Sequence, residues 1–288
     1  MATQDTDGVQ DWFAGRTAVI ATMHGKEVVI APRLVEALKV KTYVPSDFDT
    51  DQFGTFTGEV KRVGDQLEAA RAKARAALTL TGHDLVIASE GSVAPHPQLP
   101  LISSNLELVV LIDTKHNLEI VGSHRSGSVT IETATVRSSA EALMWAHEQG
   151  FPEQGVILRP RRGSSAIQKE LRTEAALTSA VEQLMSRPWR RSVYLETDLR
   201  AHRCPGRLET IATATEDLIT KCKSHCPQCL APGFVGKDVI RGLPCGACGR
   251  ATDSLRAHRY HCASCDHTQV QPVEATSADP GQCEWCNP

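Results

Sequence analysis

From residue 16 onward, short apolar runs alternate with amphipathic stretches. TAVIAT, ending at Thr22, is a β-branched run. MHGKE follows, and VVIAPRLVEAL then spaces its apolar residues for a helix, so the pattern predicts strand, loop, helix. YVPSDFDTDQFGTFTGEV, residues 43–60, is polar, punctuated by glycine and proline, and predicts a long loop or ragged hairpin. In DQLEAARAKARAALTLTG, Leu67, Ala70, Ala74, Ala77 and Leu78 share one side, Arg71 and Arg75 another, and Gly82 supplies the stop of a helix. DLVIAS is a short strand, apolar enough to be buried on both faces and ending at Ser89. NLELVVLID (105–113) and NLEIVGSH (117–124) are strands joined by TKH. SAEALMWAHEQG is a capped helix, GVILRP a strand, and AIQKELRTEAALTSAVEQLM a long helix closed by Pro188. SVYLETDLRAH is a last strand and RLETIATATEDLITKCK a last helix.

Strands alternating with helices predict a mixed-sheet α/β domain over residues 16–207, with helices on both faces of the sheet. A loose segment of residues 1–15 precedes it, and a connecting helix at 208–223 follows. Residues 224–288 have no periodic core pattern, so bound metal must substitute for one.

The cysteines say which metal. All ten lie at or after Cys204, and eight form four C-x-x-C knuckles: Cys226/Cys229, Cys245/Cys248, Cys262/Cys265 and Cys283/Cys286. Two thiolates two residues apart can face one ion, and tetrahedral zinc takes four sulfurs, so eight ligands predict a ribbon module with two structural zinc ions. Spacing leaves the pairing open between sequential (first knuckle with second, third with fourth) and nested (middle two together). Cys204 and Cys222 read as plain thiols.

Composition is ordinary for a soluble globular chain, with 41% apolar and 23% charged residues. The polar, acidic start is unlike a signal peptide, and no run reaches the roughly 18 apolar residues of a membrane span. Both point to a cytoplasmic protein without membrane contact. The net charge of −3 argues against a nucleic-acid coat. Between Arg159 and Arg207, however, eleven Lys or Arg face five Asp or Glu, which suits either an anion or solvated helix faces. From Cys222 to Pro288 six basic residues balance six acidic ones, and zinc-bound thiolates would add negative charge. That is a poor surface for phosphate backbones and a better one for a protein partner.

Three polar clusters stand at predicted strand ends, where open α/β sheets bind ligands. They are Thr22-Met23-His24-Gly25-Lys26, Ser89-Glu90-Gly91-Ser92 and Ser123-His124-Arg125-Ser126. Lys26 and Arg125 could hold phosphate charge, Glu90 is a hard oxygen donor for Mg²⁺, and Thr22, His24, Ser92, Ser123 and Ser126 could contact the substrate. Glu196, Asp198, Arg200 and His202 alternate, which in an extended strand gives one charged face, either part of a site or a salt-bridged edge.

ATMHGK, QFGTFTGEVKRVGDQLEAARAKARAAL, VIASEGS, GSHRSGS and AIQKELRTEAALTSAVEQL occur in an order that resembles the inosine/xanthosine triphosphate pyrophosphatase superfamily. The likeness covers roughly residues 17–187 and is nearest to the branch of noncanonical purine nucleoside triphosphate phosphatases. It implies a pyrophosphatase-like fold and Mg²⁺-dependent hydrolysis of a nucleoside triphosphate, with Lys26, Glu90 and Arg125 as catalytic residues. APHPQLPLISSN after Ser92 departs from that family's short turn. The family's further carboxylate has two candidates here, Glu59 and Asp113. Over its whole length, including ETDLRAH, GLPC and DPGQCEWCNP, the chain is more closely similar to bacterial proteins of unknown function. Two functions stand side by side. One is a nucleotide hydrolase; the other is a non-catalytic protein that binds a nucleotide or other phosphorylated small molecule and docks a partner through its ribbon.

Overall fold

The computed structural model describes residues 11–23, 25–50, 53, 64–99 and 101–288. The described residues divide into two compact units, one drawn from 13–117 and 121–218, the other from 11–12, 118–120 and 219–288.

The larger unit holds two sheets. β1 (Thr17–Ala21), β2 (Lys41–Tyr43), β3 (Leu85–Pro95), β4 (Ser103–Asp113) and β5 (Leu118–Ser126) form the first, in the order β2-β1-β3-β4-β5. β1 runs parallel to β2 and β3, and β3 and β4 pair antiparallel without a break from Leu85↔Asp113 to Pro95↔Ser103. α1 (Glu27–Leu38) links β1 to β2. The helix expected after residue 64 is α2 (Gln66–Thr81). Asp65 accepts from the Glu68 backbone while Glu68 accepts from that of Asp65, so two orphan N–H groups are satisfied reciprocally. Gly82, at φ 68°, closes the helix. The buried face of α2 is Ala69, Ala70, Ala74 and Ala77 with one lysine, Lys73. Small side chains let the helix lie close on Val19, Ala21, Val86 and Ala88.

β6 (Thr133–Val136), β7 (Val156–Arg159) and β8 (Val193–Thr197) form the second sheet, with β8 in the middle and both pairings antiparallel. α3 (Ser139–Glu148) and α4 (Glu174–Met185) pack with it around Val156, Leu158, Leu177, Val181 and Leu195. α5 (Pro205–Lys223) follows.

Several expectations need correction. β3 does not stop at Ser89; because β4 begins at Ser103 and pairs along its whole length, the strand runs through Glu90 to Pro95. α4 starts at Glu174, not near Ala166. Thr173 caps it, and Gln168 exchanges both backbone hydrogen bonds with Leu158, which uses the preceding segment as an extension of the sheet. Residues 11–15 are not loose: Phe13 is buried and Gly15 donates to the Lys39 carbonyl. The short edge strands β2 and β6 escaped the apolar pattern. Residues 1–10 and most of the 43–60 loop beyond Thr50 lie outside the described residues.

In the smaller unit β9 (Val235–Arg241), β10 (Leu255–His261) and β11 (Thr268–Pro272) form an antiparallel sheet with β10 in the centre. No helix among the described residues is long and apolar enough to cross a membrane.

Candidate functional site

The cysteine knuckles share one local geometry. Four residues after each leading cysteine, a backbone N–H returns to its carbonyl: Leu230 to Cys226 at 2.9 Å, Gly249 to Cys245 at 2.9 Å, Asp266 to Cys262 at 3.2 Å and Asn287 to Cys283 at 2.8 Å. Within the turn, Gln228, Ala247 and Ser264 donate backbone N–H to the sulfurs of Cys226, Cys245 and Cys262, each at 3.4 Å. Such donors favour thiolate, the form that binds metal. The backbone N–H groups of Cys248 and Ala247 lower the Cys245 thiol to about 7. Burial outside any knuckle pushes the Cys222 thiol up to about 12, which keeps it protonated.

The pairing is neither sequential nor nested. Cys226, Cys229, Cys262 and Cys265 form one cluster and Cys245, Cys248, Cys283 and Cys286 the other, each with all four sulfurs within 4.8 Å of one another. First joins third and second joins fourth, because β9 and β10 carry the second knuckle away from the first and bring the third back. Each cluster can hold an ion such as zinc. Elemental analysis of the purified chain is expected to find two zinc per molecule, and one or none would contradict the cluster assignment.

A second concentration of chemistry lies in the larger unit, along β3 and β4. Adjacent strand residues face opposite sides of a sheet. On the α2 side, Glu90 is ion-paired with Lys73, both buried. On the other side, Glu107 stands opposite Gly91, and its carboxylate takes the Arg207 Nε–H of α5 at 2.7 Å. Glu107 is 0% exposed and Arg207 1%. A Cβ at position 91 would overlap both Arg207 and Glu107, so the absence of a side chain there makes room for the ion pair. Arg207 also donates to the Leu199 carbonyl.

Lys26 completes the group from the start of α1. It is 8% exposed, and its Nζ meets one polar atom, the Ser89 carbonyl oxygen at 3.5 Å. Burial, and then the cations of Lys73 and Arg207, lower its ammonium to about 8. Beside it, the buried hydroxyls of Thr22 and Ser89 have no hydrogen-bond partner among the described residues. No side chain caps the N-terminus of α1; the Val28 and Val29 N–H groups donate to the Gly25 and Lys26 carbonyls instead.

The structure therefore brings Lys26, Thr22 and Glu90 into one neighbourhood, with half-buried Ser92 two strand positions beyond Glu90. It does not bring Arg125 there. That side chain is exposed and donates to Ser104 at 2.8 Å, and Ser104 pairs with Ala94, four residues along β3 from Glu90. Ser123 donates its backbone N–H to Asp217, and Ser126 bonds Ser128, so neither side chain reaches the Lys26 group. His24 and Glu59 lie outside the described residues. Asp113 is structural: it sits at the opposite end of the β3–β4 ladder, clamped by Arg16 at 2.5 Å and His116 at 2.7 Å. Burial raises its pKa, but the hydrogen bonds from Arg16 and His116 outweigh that and hold it below the usual range.

Glu196, Asp198, Arg200 and His202 do not share a strand face either, because β8 ends at Thr197. Glu196 pairs with Arg159 at 2.7 Å, Asp198 with Arg200 at 2.6 Å, and Glu170 gathers Arg200 and His202 at 2.8 and 3.2 Å. Within the basic belt, Arg159, Arg172, Arg200 and Arg207 thus pair with carboxylates of the same unit.

Lys73, Glu107 and Arg207 were not expected in the site. Lys73 leaves one trace in the sequence, a charge in the alanine stripe of an amphipathic helix. Glu107 leaves another, a lone carboxylate inside NLELVVLID.

Among the described residues nothing fits Mg²⁺: Glu90 and Glu107, the buried carboxylates of this region, stand on opposite faces of the sheet, and each is ion-paired with a cation. Among the described residues, the only groups of three or more potential metal donors are the two cysteine clusters.

No curated protein matches the chain. A family defined as a domain of unknown function, DUF6671, matches residues 73–288 and so takes in Lys73, Glu90, Glu107, Arg207 and all eight knuckle cysteines. On that match, three quarters of its length, the chain belongs to the DUF6671 family.

Proposed function

We propose that the larger unit binds a phosphorylated small molecule, a nucleotide by the sequence resemblance, with its phosphate against Lys26. The observation that carries this reading is the uncompensated charge of Lys26. Among the described residues, Lys73 and Arg207 each have a carboxylate in contact, whereas Lys26 has a carbonyl oxygen. A buried ammonium without a counter-charge is costly, and an anion at this position would supply one. The hydroxyls of Thr22 and Ser89, without a partner among the described residues, offer further donors to the same anion. The ribbon is then the contact point for a protein partner, and exposed Trp285, stacked 3.6 Å from the Arg250 guanidinium, is its most prominent anchor.

Titration calorimetry of the full chain with ATP, ADP and inorganic phosphate tests this. At least one is expected to bind, and Lys26→Met to abolish binding without unfolding the protein. Silence from all three would remove the reading, and steady release of phosphate would replace it with the hydrolase.

The pH dependence is also fixed in sign. An anion holds Lys26 protonated, so affinity is expected to fall as pH rises through about 8, roughly tenfold between pH 7.5 and 9. The stability of the ligand-free protein moves the other way. Between about 8 and 10.5 the unfolded chain binds the extra proton, so the cost of burying Lys26 lessens as pH rises. Calorimetry at two pH values, with urea melts of the free protein, checks both.

A further inference from the structure

We infer that Asn105 reads the base of a nucleotide whose phosphate lies at Lys26; this rests on the anion site proposed above. Asn105 is in β4, 0% exposed, and among the described residues neither its Oδ1 nor its Nδ2 has a hydrogen-bond partner. Burying an amide with both ends unsatisfied costs more than burying an apolar residue of the same shape. A position that bears this cost in the free protein is suited to a ligand that satisfies both ends at once.

The strand register gives the ligand its form. On the α5 side of the sheet, three successive rows carry unsatisfied polar atoms. The first has the hydroxyls of Thr22 and Ser89, beside Lys26. The second has Glu107 opposite Gly91, where Oε1 is taken by Arg207 and Oε2 accepts nothing. The third has Asn105 opposite Val93. From Ser89 to Val93 is about 13 Å at ~3.3 Å per residue, a span comparable to that of a nucleoside monophosphate from phosphate to the far edge of its base. The chemistry follows the same order: ammonium and hydroxyl donors for phosphate, a carboxylate oxygen for a sugar hydroxyl, and an amide offering one donor and one acceptor. That last pair complements a nucleobase edge, in the way Asn pairs with adenine N6 and N7. Val93, in the third row, packs with Val129, Leu199 and Cys204, so the surroundings of this row are apolar.

The test compares the four common nucleoside monophosphates with ribose 5-phosphate, which keeps sugar and phosphate but lacks the base. For the full chain with its metals bound, at least one nucleotide is expected to bind ~10–100-fold more tightly than ribose 5-phosphate, the discrimination of one bidentate amide–base pair. Asn105→Leu should bring that nucleotide down to the level of ribose 5-phosphate while leaving ribose 5-phosphate within about threefold. It should also melt no lower than the parent when ligand-free, because it removes two orphaned polar atoms. Asn105→Ser, smaller and still polar, is a second variant expected to lose the base preference if the leucine variant does not fold. Ribose 5-phosphate binding with no gain from any base would overturn the role of Asn105 and leave the anion site standing. So would a base preference that survives both substitutions, or a lower melting temperature for Asn105→Leu, which would mark a structural water. Failure of ribose 5-phosphate and all four nucleotides to bind would overturn both.

Discussion

Stripping one metal from the tail is expected to unfold residues 224–288 in a single step. Because the knuckles interleave, the chain between Cys229 and Cys262 contains the second knuckle, and the chain between Cys248 and Cys283 contains the third. Losing the first ion releases the segment that holds half the ligands of the second, and the converse is equally true. The effect should be large, since a structural zinc ion supplies on the order of 10–16 kcal/mol of folding free energy in small zinc domains. Sequential pairing would instead give two independent lobes and two separate losses. Cys262→Ser and Cys283→Ser lie in different clusters and should therefore give the same result: loss of both ions and of amide protection throughout β9, β10 and β11. Hydrogen exchange with elemental analysis checks this. A variant that keeps one ion firmly, with native protection around it, would show that the clusters do not depend on each other.

The second large effect is expected at the buried ion pair of the other unit. Arg207→Met leaves the Glu107 carboxylate unpaired where water does not reach it, which should cost about 3–5 kcal/mol in urea unfolding at pH 7. Glu107→Leu alone strands the guanidinium and should cost a similar amount. The double variant is expected to recover most of the loss, because two apolar residues of suitable volume can replace a buried pair at little net cost. If the two single losses simply add in the double variant, the residues do not act as a pair.

Most of the secondary structure could be read from periodicity because it follows from what each segment buries. The α2 stripe and β1 were plain, and so was α5, where apolar spacing runs uninterrupted. The misses have physical causes. α4 was drawn too long because residues 166–173 are amphipathic enough for a helix, yet the segment pairs with Leu158 instead. β3 was drawn too short because a carboxylate and a glycine look like the end of a strand unless the partners across the sheet are known. The same blindness hid the site. Lys73, Glu107 and Arg207 are brought together by contacts between residues far apart in sequence, and no local pattern marks such a meeting. Arg125 is suggested by its place in a polar cluster at a predicted strand end and by motif order, but its side chain bonds Ser104, further along the β3–β4 ladder. The eight cysteines are legible as candidate ligands, since C-x-x-C spacing is itself geometry, and they gather into two four-sulfur clusters. Their partners were not, because that depends on how β9 and β10 route the chain.

Gly91 ties three positions into one unit of change. With no side chain it admits the guanidinium and the carboxylate that meet over it, and a methyl group there would overlap both. A larger residue at 91 becomes tolerable only after positions 107 and 207 have both shrunk, and those two cannot shrink one at a time without leaving a buried charge. Drift at these sites is therefore constrained in order as well as in kind: the pair must go together, and the glycine last.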